Sequence, residues 1–360
     1  MNAQPNSEQR FAALDLMRFL AAMSVLLYHY VSSYLSPSLL DASGLGAMAS
    51  VTRYGYLGVN AFFFISGFVI LASAMSRGAV NFLIGRVSRL YPAFWVSVIL
   101  TSTMVLLFPK VAPPEVAGQI SPRVIFANLT MIPEFLGQPF VDGVYWTLQI
   151  EIRFYFLIFV MLVLKLQHKV QQLLWLWLAI LVLGEFVQLP WLLAFIFIAG
   201  YGSYFVFGCF AFLGASSGWS LERALGLAAS AALCIGHALS SRSEFITADQ
   251  TSGVVVPTVM LLLMAFFRFG VTLKFPGSVA RISEDMGSLT YPLYLTHAVL
   301  GYMAIRVLVP EVGVIPALAL SSLGAIAVAF VLARGVDVPA RKPLSRWLRR
   351  RWREVFEDSA

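Results

Sequence analysis

Ionisable side chains stand inside the apolar runs of this sequence, and the first run carries an arginine and a histidine. Arg18 and His29 are eleven residues apart in LDLMRFLAAMSVLLYHY. On an α-helix this spacing puts them within about 20° of one another and roughly 16 Å apart along the axis. Asp15, three residues before Arg18, has the spacing of a helical ion pair. Charges and imidazoles in such runs are functional candidates, and His29 has the chemistry of a general base.

A carboxylate lies in another apolar run, VYWTLQIEIRFYFL. Glu151 and Tyr155 share a helical face at the i, i+4 spacing. The span order given below puts Glu151 at the same predicted depth as His29, about two turns below the outer surface. A histidine and a glutamate at matched depth can act as a base and its orienting carboxylate, like the base end of a hydrolase triad without the serine.

Two arginines three residues apart stand in SRGAVNFLIGRVSRLYPAFW, before a further apolar run. Arg86 and Arg89 would occupy one helical face, and neighbouring guanidinium groups bind phosphate in a bidentate manner. The alternative is that both only fix membrane topology and contact lipid phosphates. Pro92 is predicted to lie in the first turn of the following helix.

Two further motifs contain polar or small residues within apolar runs. In FFFISGFVI, Ser66 and Gly67 would allow another backbone, or a narrow ligand, to approach closely. In SLTYPLYLTH, His297 is expected near the middle of the membrane, with Tyr291 and Tyr294 toward the cytoplasm. Metal-binding spacings and nucleotide-binding glycine motifs are absent from the sequence.

The composition sets the class of protein that must position these groups. Hydrophobic residues make up 59% of the 360 residues and charged residues 12%, against about 25% charged in ordinary soluble domains. The mean hydropathy is +0.81. These values exclude a soluble enzyme, a disordered chain and a coiled coil, and the long unbroken runs disfavour a β-barrel. We therefore predict an all-α, polytopic membrane helix bundle.

The apolar runs predict about ten transmembrane helices. Their predicted ranges are 11–35, 55–76, 90–108, 145–165, 171–189, 192–214, 221–239, 253–271, 288–309 and 313–333. With a cytoplasmic N-terminus, about 18 of the 25 Lys and Arg residues fall on the cytoplasmic side. This bias predicts that both termini are cytoplasmic, and it explains the net charge of +7 without nucleic acid. We divide the chain into an N-terminal segment (1–10), a transmembrane domain (11–340) and a basic tail (341–360).

The order of the motifs resembles the acyltransferase-3 family of integral membrane O-acyltransferases. An arginine and a histidine with ten residues between them are followed by FFFISGF, RVSRLYPAFW, WTLQIEIRFY and LTYPLYLTH. The resemblance covers about residues 11–345. Thr147 and Thr290 stand where serine is commoner, and the C-terminal acidic-proline motif survives only as Asp337 and Pro339. The resemblance implies functional roles for the matching residues Arg18, His29, Ser66, Gly67, Arg86, Arg89 and Glu151.

The resemblance implies transfer of an acyl group, most often acetyl, from cytoplasmic acyl-CoA to a carbohydrate hydroxyl of a cell-surface or exported glycan. Acetyl-CoA or another acyl-CoA is then a substrate, with no tightly bound cofactor and no metal. The expected location is a bacterial cytoplasmic (inner) membrane, with lipids and polysaccharide-assembly proteins as neighbours. His29 acts as general base or carries the acyl group itself. The expected roles are catalysis by His29 and Glu151, donor binding by Arg18, Arg86 and Arg89, and lining of the pathway by Ser66, Gly67, Tyr155, Tyr291, Tyr294 and His297.

Two other classes of function remain open at the level of sequence. Polar groups along a path through a helix bundle are also typical of a transporter or flippase, here for a lipid-linked sugar. The absence of inverted repeats and of a coupling-ion carboxylate cluster disfavours this reading. The other class is an anchoring subunit of a polysaccharide complex. It is disfavoured because such a subunit would not need buried charges.

Overall fold

The computed structural model describes residues 12–271, 273 and 275–356. Within these ranges every regular element is helical, which confirms the predicted all-α class. The predicted N-terminal segment 1–10 lies outside the described residues. The α-helices are α1 Ala12–Leu27, α2 Pro37–Ser43, α3 Gly46–Thr52, α4 Gly58–Met75, α5 Ala79–Leu107, α6 Pro122–Leu129, α7 Trp146–Val163, α8 Val170–Phe186, α9 Trp191–Ile196, α10 Gly202–Ser217, α11 Leu221–Ser240, α12 Gln250–Gly270, α13 Gly277–Thr296, α14 Ala298–Val312, α15 Val314–Leu332 and α16 Val338–Phe356.

Eight continuous helical segments in the described residues are long and apolar enough to cross a membrane, which confirms the polytopic class. A ninth candidate is the bent pair α13 and α14, and the predicted span 192–214 overlaps the shorter apolar helix α10. The eight segments are Ala12–Ser33, Gly46–Met75, Ala79–Leu107, Gly143–Val163, Gln167–Phe186, Leu221–Glu244, Gln250–Gly270 and Val314–Val355.

Two predicted spans are interrupted in the structure. Helix α9 ends at Ile196 and α10 begins only at Gly202, and between them Ile198 has a φ of 54°. This left-handed conformation is unfavourable for a β-branched residue and ends the helical path. The predicted span 288–309 breaks at His297, where α13 and α14 meet at an angle of 72°. Long apolar segments flank both breaks, so a search for apolar runs joins the two halves into one span.

Helix α5 begins at Ala79 rather than at residue 90, so the predicted helix start at Pro92 is wrong. The first three turns have low hydropathy because they contain Asn81, Arg86 and Arg89. A search for apolar runs therefore does not include these turns in the span. Pro92 lies inside the helix. A proline is tolerated within a membrane helix where neighbouring groups satisfy the freed carbonyl.

Helix α15 continues through a π-helical turn, Ala333–Asp337, directly into α16. The predicted boundary between the transmembrane domain and the basic tail, at residue 340, therefore lies within α16. The basic side chains of this region are carried by a regular helix.

The described chain divides into two units, and the first contains residues 12–21, 56–79 and 150–284. Within it, α4 and α10 approach each other at glycines. A Cβ atom on Gly67 would lie 2.2 Å from the carbonyl oxygen of Phe205, and one on Gly208 would lie 2.1 Å from that of Phe64. Small residues allow such close helix packing in membranes. At Gly67, the close approach expected from the sequence is therefore made by another backbone.

The second unit contains residues 22–55, 80–149 and 285–356. The segment 109–144, predicted as one long outer loop, includes α6 and several short helical turns. Its residues Ala112 and Val116 are buried against Val105 on α5 and against Val299 and Met303 on α14. The loop is thereby anchored on the helix that begins just after His297.

Candidate active site

Two imidazoles lie side by side in the second unit. The ring centroids of His29 and His297 are 5.3 Å apart. His29 belongs to a π-helical turn, Tyr28–Ser33, and His297 occupies the break between α13 and α14. The Nδ1 atom of His297 lies 2.9 Å from the carbonyl oxygen of Tyr294, so Nδ1 donates and Nε2 keeps its lone pair. Among the described residues, neither the buried Nε2 of His297 nor the buried Nδ1 of His29 has a hydrogen-bond partner.

The helix break at His297 is stabilised by two side chains, one just before the Glu151 motif and one at its start. In a regular α-helix the Val299 amide would donate to the Leu295 carbonyl. Here the Val299 amide donates to Oδ2 of Asp142 at 3.1 Å, and the Leu295 carbonyl accepts from the Tyr145 hydroxyl at 3.1 Å. The other Asp142 oxygen accepts from the Val144 amide at 3.2 Å. Asp142 and Tyr145 thus replace the missing backbone bond.

Burial dominates the electrostatics of Asp142, whose side chain is fully inaccessible to solvent. Desolvation raises the pKa of Asp142 to about 7, although the two amide hydrogen bonds act in the opposite direction. Beside it, the Tyr30 hydroxyl donates to the His297 carbonyl at 3.1 Å. Gly301 makes room for this tyrosine, because a Cβ there would lie 2.1 Å from the Tyr30 hydroxyl. The backbone around His297 is therefore fixed from several sides.

A carboxylate cluster lies in the first unit. Oε1 of Glu151 accepts hydrogen bonds from the Ser66 hydroxyl at 2.5 Å and from the Tyr155 hydroxyl at 2.7 Å. The predicted placement of Glu151 and Tyr155 on one helical face is confirmed. The predicted ion pair of Arg18 with Asp15 is confirmed as well, with 3.1 Å between Nη1 and Oδ1.

The arginines of α5 belong to the second unit. Arg89 Nη1 lies 3.2 Å from Oδ2 of Asp337, a buried carboxylate that also pairs with Arg341. The Arg89 guanidinium is 5.8 Å from the Tyr291 ring, and the Arg86 guanidinium is 5.9 Å from a phenylalanine ring one turn away. Asp337 is the acidic residue that survives from the C-terminal motif, and its role here is to hold Arg89.

Comparison with known proteins decides the family. The family model described as "Acyltransferase domain" (Acyl_transf_3) matches residues 11–334. The chain belongs to this acyltransferase family. It is also similar to "Acyltransferase MdmB" of Streptomyces mycarofaciens, with 25% identity over 151 residues. That alignment covers 41% of this chain and spans only 38% of the relative's length. No solved structure matches.

The structure brings together some predicted site residues. Ser66, Glu151 and Tyr155 are joined by hydrogen bonds. His29 contacts His297, whose ring lies 5.5 Å from that of Tyr294. The pairing of His29 with Glu151 stays a prediction, because the two residues belong to different units.

The sequence patterns did not indicate Asp142, Tyr145 or Tyr30. The only local signal was an aspartate at the end of a proline-rich segment, just before the Glu151 motif. Its distant partner, the Val299 amide, lies 157 residues further along the chain, beyond the reach of helical spacing rules. Tyr30 directly follows His29 but carries no charge, so its residue type does not distinguish it from other aromatic residues of the span.

Proposed function

We propose that this acyltransferase moves an acyl group, most often acetyl, from cytoplasmic acyl-CoA to a carbohydrate hydroxyl of a cell-surface or exported glycan. The proposed location is a bacterial cytoplasmic membrane. Family membership supports acyl transfer. The observation that carries the choice of centre is the contact of two imidazoles that each keep a buried nitrogen without a hydrogen-bond partner among the described residues.

The proposed reaction is a direct transfer assisted by general base catalysis. His29 removes the proton of the acceptor hydroxyl as its oxygen forms a bond to the thioester carbonyl carbon. The carbon–sulfur bond then breaks, and the protonated imidazole returns the proton to the departing CoA sulfur. Atoms and charge balance without a further reactant. His297, with its free Nε2 lone pair, is suited to accept a hydrogen bond from the protonated His29, and Glu151 would stabilise the same positive charge.

Donor binding is assigned to Arg86, Arg89 and Arg18, which would hold the phosphates of CoA. Arg86 and Arg89 lie on α5 three residues apart, and Asp337 restrains the Arg89 guanidinium. A guanidinium held in one orientation loses less entropy when it binds phosphate. An incoming phosphate would share Arg89 with Asp337, which retains Arg341 as its second partner.

A lipid-linked sugar transporter remains a second candidate, because discontinuous helices such as α13 and α14 also form transport sites. The two functions differ in whether the thioester is consumed. We therefore propose an assay of inverted membrane vesicles with acetyl-CoA radiolabelled in the acetyl group. The enzyme should release free CoA and label a glycan, and the His29→Ala variant should do neither. Intact acetyl-CoA with wild-type protein, together with movement of a sugar lipid, would overturn the proposal.

A further inference from the structure

A cleft of about 310 Å³ lies in the second unit, between the residues that follow His29 and the second half of α14. This volume is at the small end of the range for ligand sites. Under the predicted topology, both walls belong to the outer end of their helices. The residues that line the cleft include Tyr34, Leu35, Leu39, Tyr302, Arg306 and Val309.

An aromatic wall joins this cleft to the imidazole pair. The Tyr34 ring stacks on the His29 imidazole with 5.4 Å between centroids and 29° between planes. On its other side, Tyr34 contacts Tyr302 edge-to-face, with centroids 5.2 Å apart. Two consecutive ring contacts therefore connect the proposed catalytic imidazole with the interior of the cleft.

The lining combines the two kinds of surface that a sugar ring needs. Leu35, Leu39 and the tyrosine rings offer an apolar surface to the carbon–hydrogen face of a sugar. Arg306 is exposed, and its hydrogen bond in the described structure runs from Nη1 to the Tyr302 hydroxyl at 3.2 Å. A guanidinium has five N–H donors, so Arg306 has donors left for the oxygen atoms at the edge of a sugar.

We propose that this cleft is the acceptor subsite: it binds the sugar ring that carries the hydroxyl to be acylated, with Tyr302 packing against the ring and Arg306 bound to its oxygens. This inference rests on the proposed function, because a transporter would need no acceptor beside His29. The competing occupant is a membrane lipid whose phosphate meets Arg306.

Photocrosslinking tests the occupant directly. Val309, in the cleft, is replaced by p-benzoylphenylalanine in the full-length protein, within cells that make their surface glycan and are labelled with ³²P. Val307 on the same helix, 50% exposed and outside the cleft, is the matched control. We expect an adduct that stains for carbohydrate by periodate oxidation and hydrazide coupling at position 309 only. A phospholipid adduct without carbohydrate, equal adducts at both positions, or no adduct would overturn the proposal.

Kinetics in membranes provide a second test. With radiolabelled acetyl-CoA and the endogenous glycan, Tyr302→Ala and Arg306→Gln should each lower glycan labelling by roughly tenfold. The KM for acetyl-CoA should not change, and Tyr302→Phe should retain most of the labelling because the ring is kept. Arg123→Gln, at an exposed arginine of the predicted outer loop, is the matched control. Wild-type labelling in both variants, or a change confined to the KM for acetyl-CoA, would overturn the assignment.

The two experiments separate this inference from the proposed function. If the wild-type protein consumes no acetyl-CoA, acyl transfer fails, whereas the crosslink still reports what occupies the cleft. If transfer occurs and the variants at Tyr302 and Arg306 behave like the wild type, acyl transfer stands and the acceptor subsite lies elsewhere.

Discussion

The imidazole cluster of the second unit and the carboxylate cluster of the first unit differ in how their polar atoms are satisfied. Oε1 of Glu151 accepts two hydroxyl hydrogen bonds. In the described structure, His29 and His297 each keep a buried ring nitrogen without a partner. An unsatisfied buried polar atom costs about 1–3 kcal/mol, so these two nitrogens are open to a hydrogen bond from a substrate or from water. Glu151, by contrast, is already held in place.

This difference assigns unequal roles to the two clusters. In the proposed mechanism the imidazoles exchange protons, and the carboxylate supplies a fixed negative charge. Loss of an imidazole should therefore abolish chemistry, whereas loss of the carboxylate charge should weaken it.

His29→Ala should lower the rate of acyl transfer by about 10²–10⁴-fold, the usual contribution of a general base. The measurement is single-turnover transfer from radiolabelled acetyl-CoA, with the amount of membrane-inserted protein and its thermal stability as controls. Turnover near the wild-type level in a correctly inserted variant would remove His29 from the mechanism. It would also contradict the larger role given to the imidazole cluster.

Glu151→Gln should lower the rate by about 10–10²-fold, less than the loss of His29. Glutamine keeps an oxygen that accepts from Ser66 and Tyr155 but loses the charge that would stabilise a protonated His29. The double variant with His29→Ala should be little slower than His29→Ala alone, since residues that act as a unit give non-additive losses. Fully additive losses would show that the carboxylate and the imidazole act independently, and the pairing expected from the sequence would be wrong.

Arg86→Ala and Arg89→Ala should each raise the KM for acyl-CoA by roughly tenfold, because a charge-assisted hydrogen bond contributes about 1.5–3 kcal/mol. Arg→Lys should rescue only in part, since lysine lacks the bidentate fork. Direct binding of CoA to purified protein is the measurement.

Arg334→Ala is the matched control for the arginine variants. Arg334 pairs with Asp285 at 2.5 Å, and both side chains are largely exposed, so the pair should contribute little. Wild-type CoA affinity in the Arg86→Ala/Arg89→Ala double variant would contradict the donor assignment and leave topology as the role of these arginines.

Sequence patterns predicted the contacts that lie within one helix and missed those that join distant segments. Asp15 with Arg18 and Glu151 with Tyr155 follow from helical spacing alone. The contact of His29 with His297 and the hydrogen bonds of Asp142 depend on tertiary packing, which no local pattern encodes.

The apolar runs likewise located the membrane helices but not their interruptions. The break at His297 comes from the exchange of one backbone hydrogen bond for bonds to Asp142 and Tyr145, and this exchange leaves hydropathy unchanged. Contacts within the site could therefore be predicted where both residues share a helix. Elsewhere the sequence indicated candidate residues but not which of them are in contact.

The smallest decrease in activity is expected for a change at Asp142, which binds the backbone at the helix break. In Asp142→Asn, one side-chain atom still accepts an amide hydrogen bond, whereas the new NH₂ group faces either the Val144 or the Val299 amide. We expect a loss of about 1–3 kcal/mol in stability and only a few-fold decrease in rate, because Tyr145 and Tyr30 still hold the backbone around His297.

The pH dependence of stability distinguishes Asp142→Asn from a general packing defect. Burial raises the pKa of Asp142 from 3.8 to about 7, so between these values the folded protein keeps a proton that the unfolded chain has released. The wild-type melting temperature should therefore fall as the pH rises from about 4 to 7. The Asn variant, which has no proton to release at this position, should lack that part of the slope. Identical slopes in the two proteins would show that Asp142 is ionised throughout this range. The Val299 amide would then donate to a fully charged carboxylate.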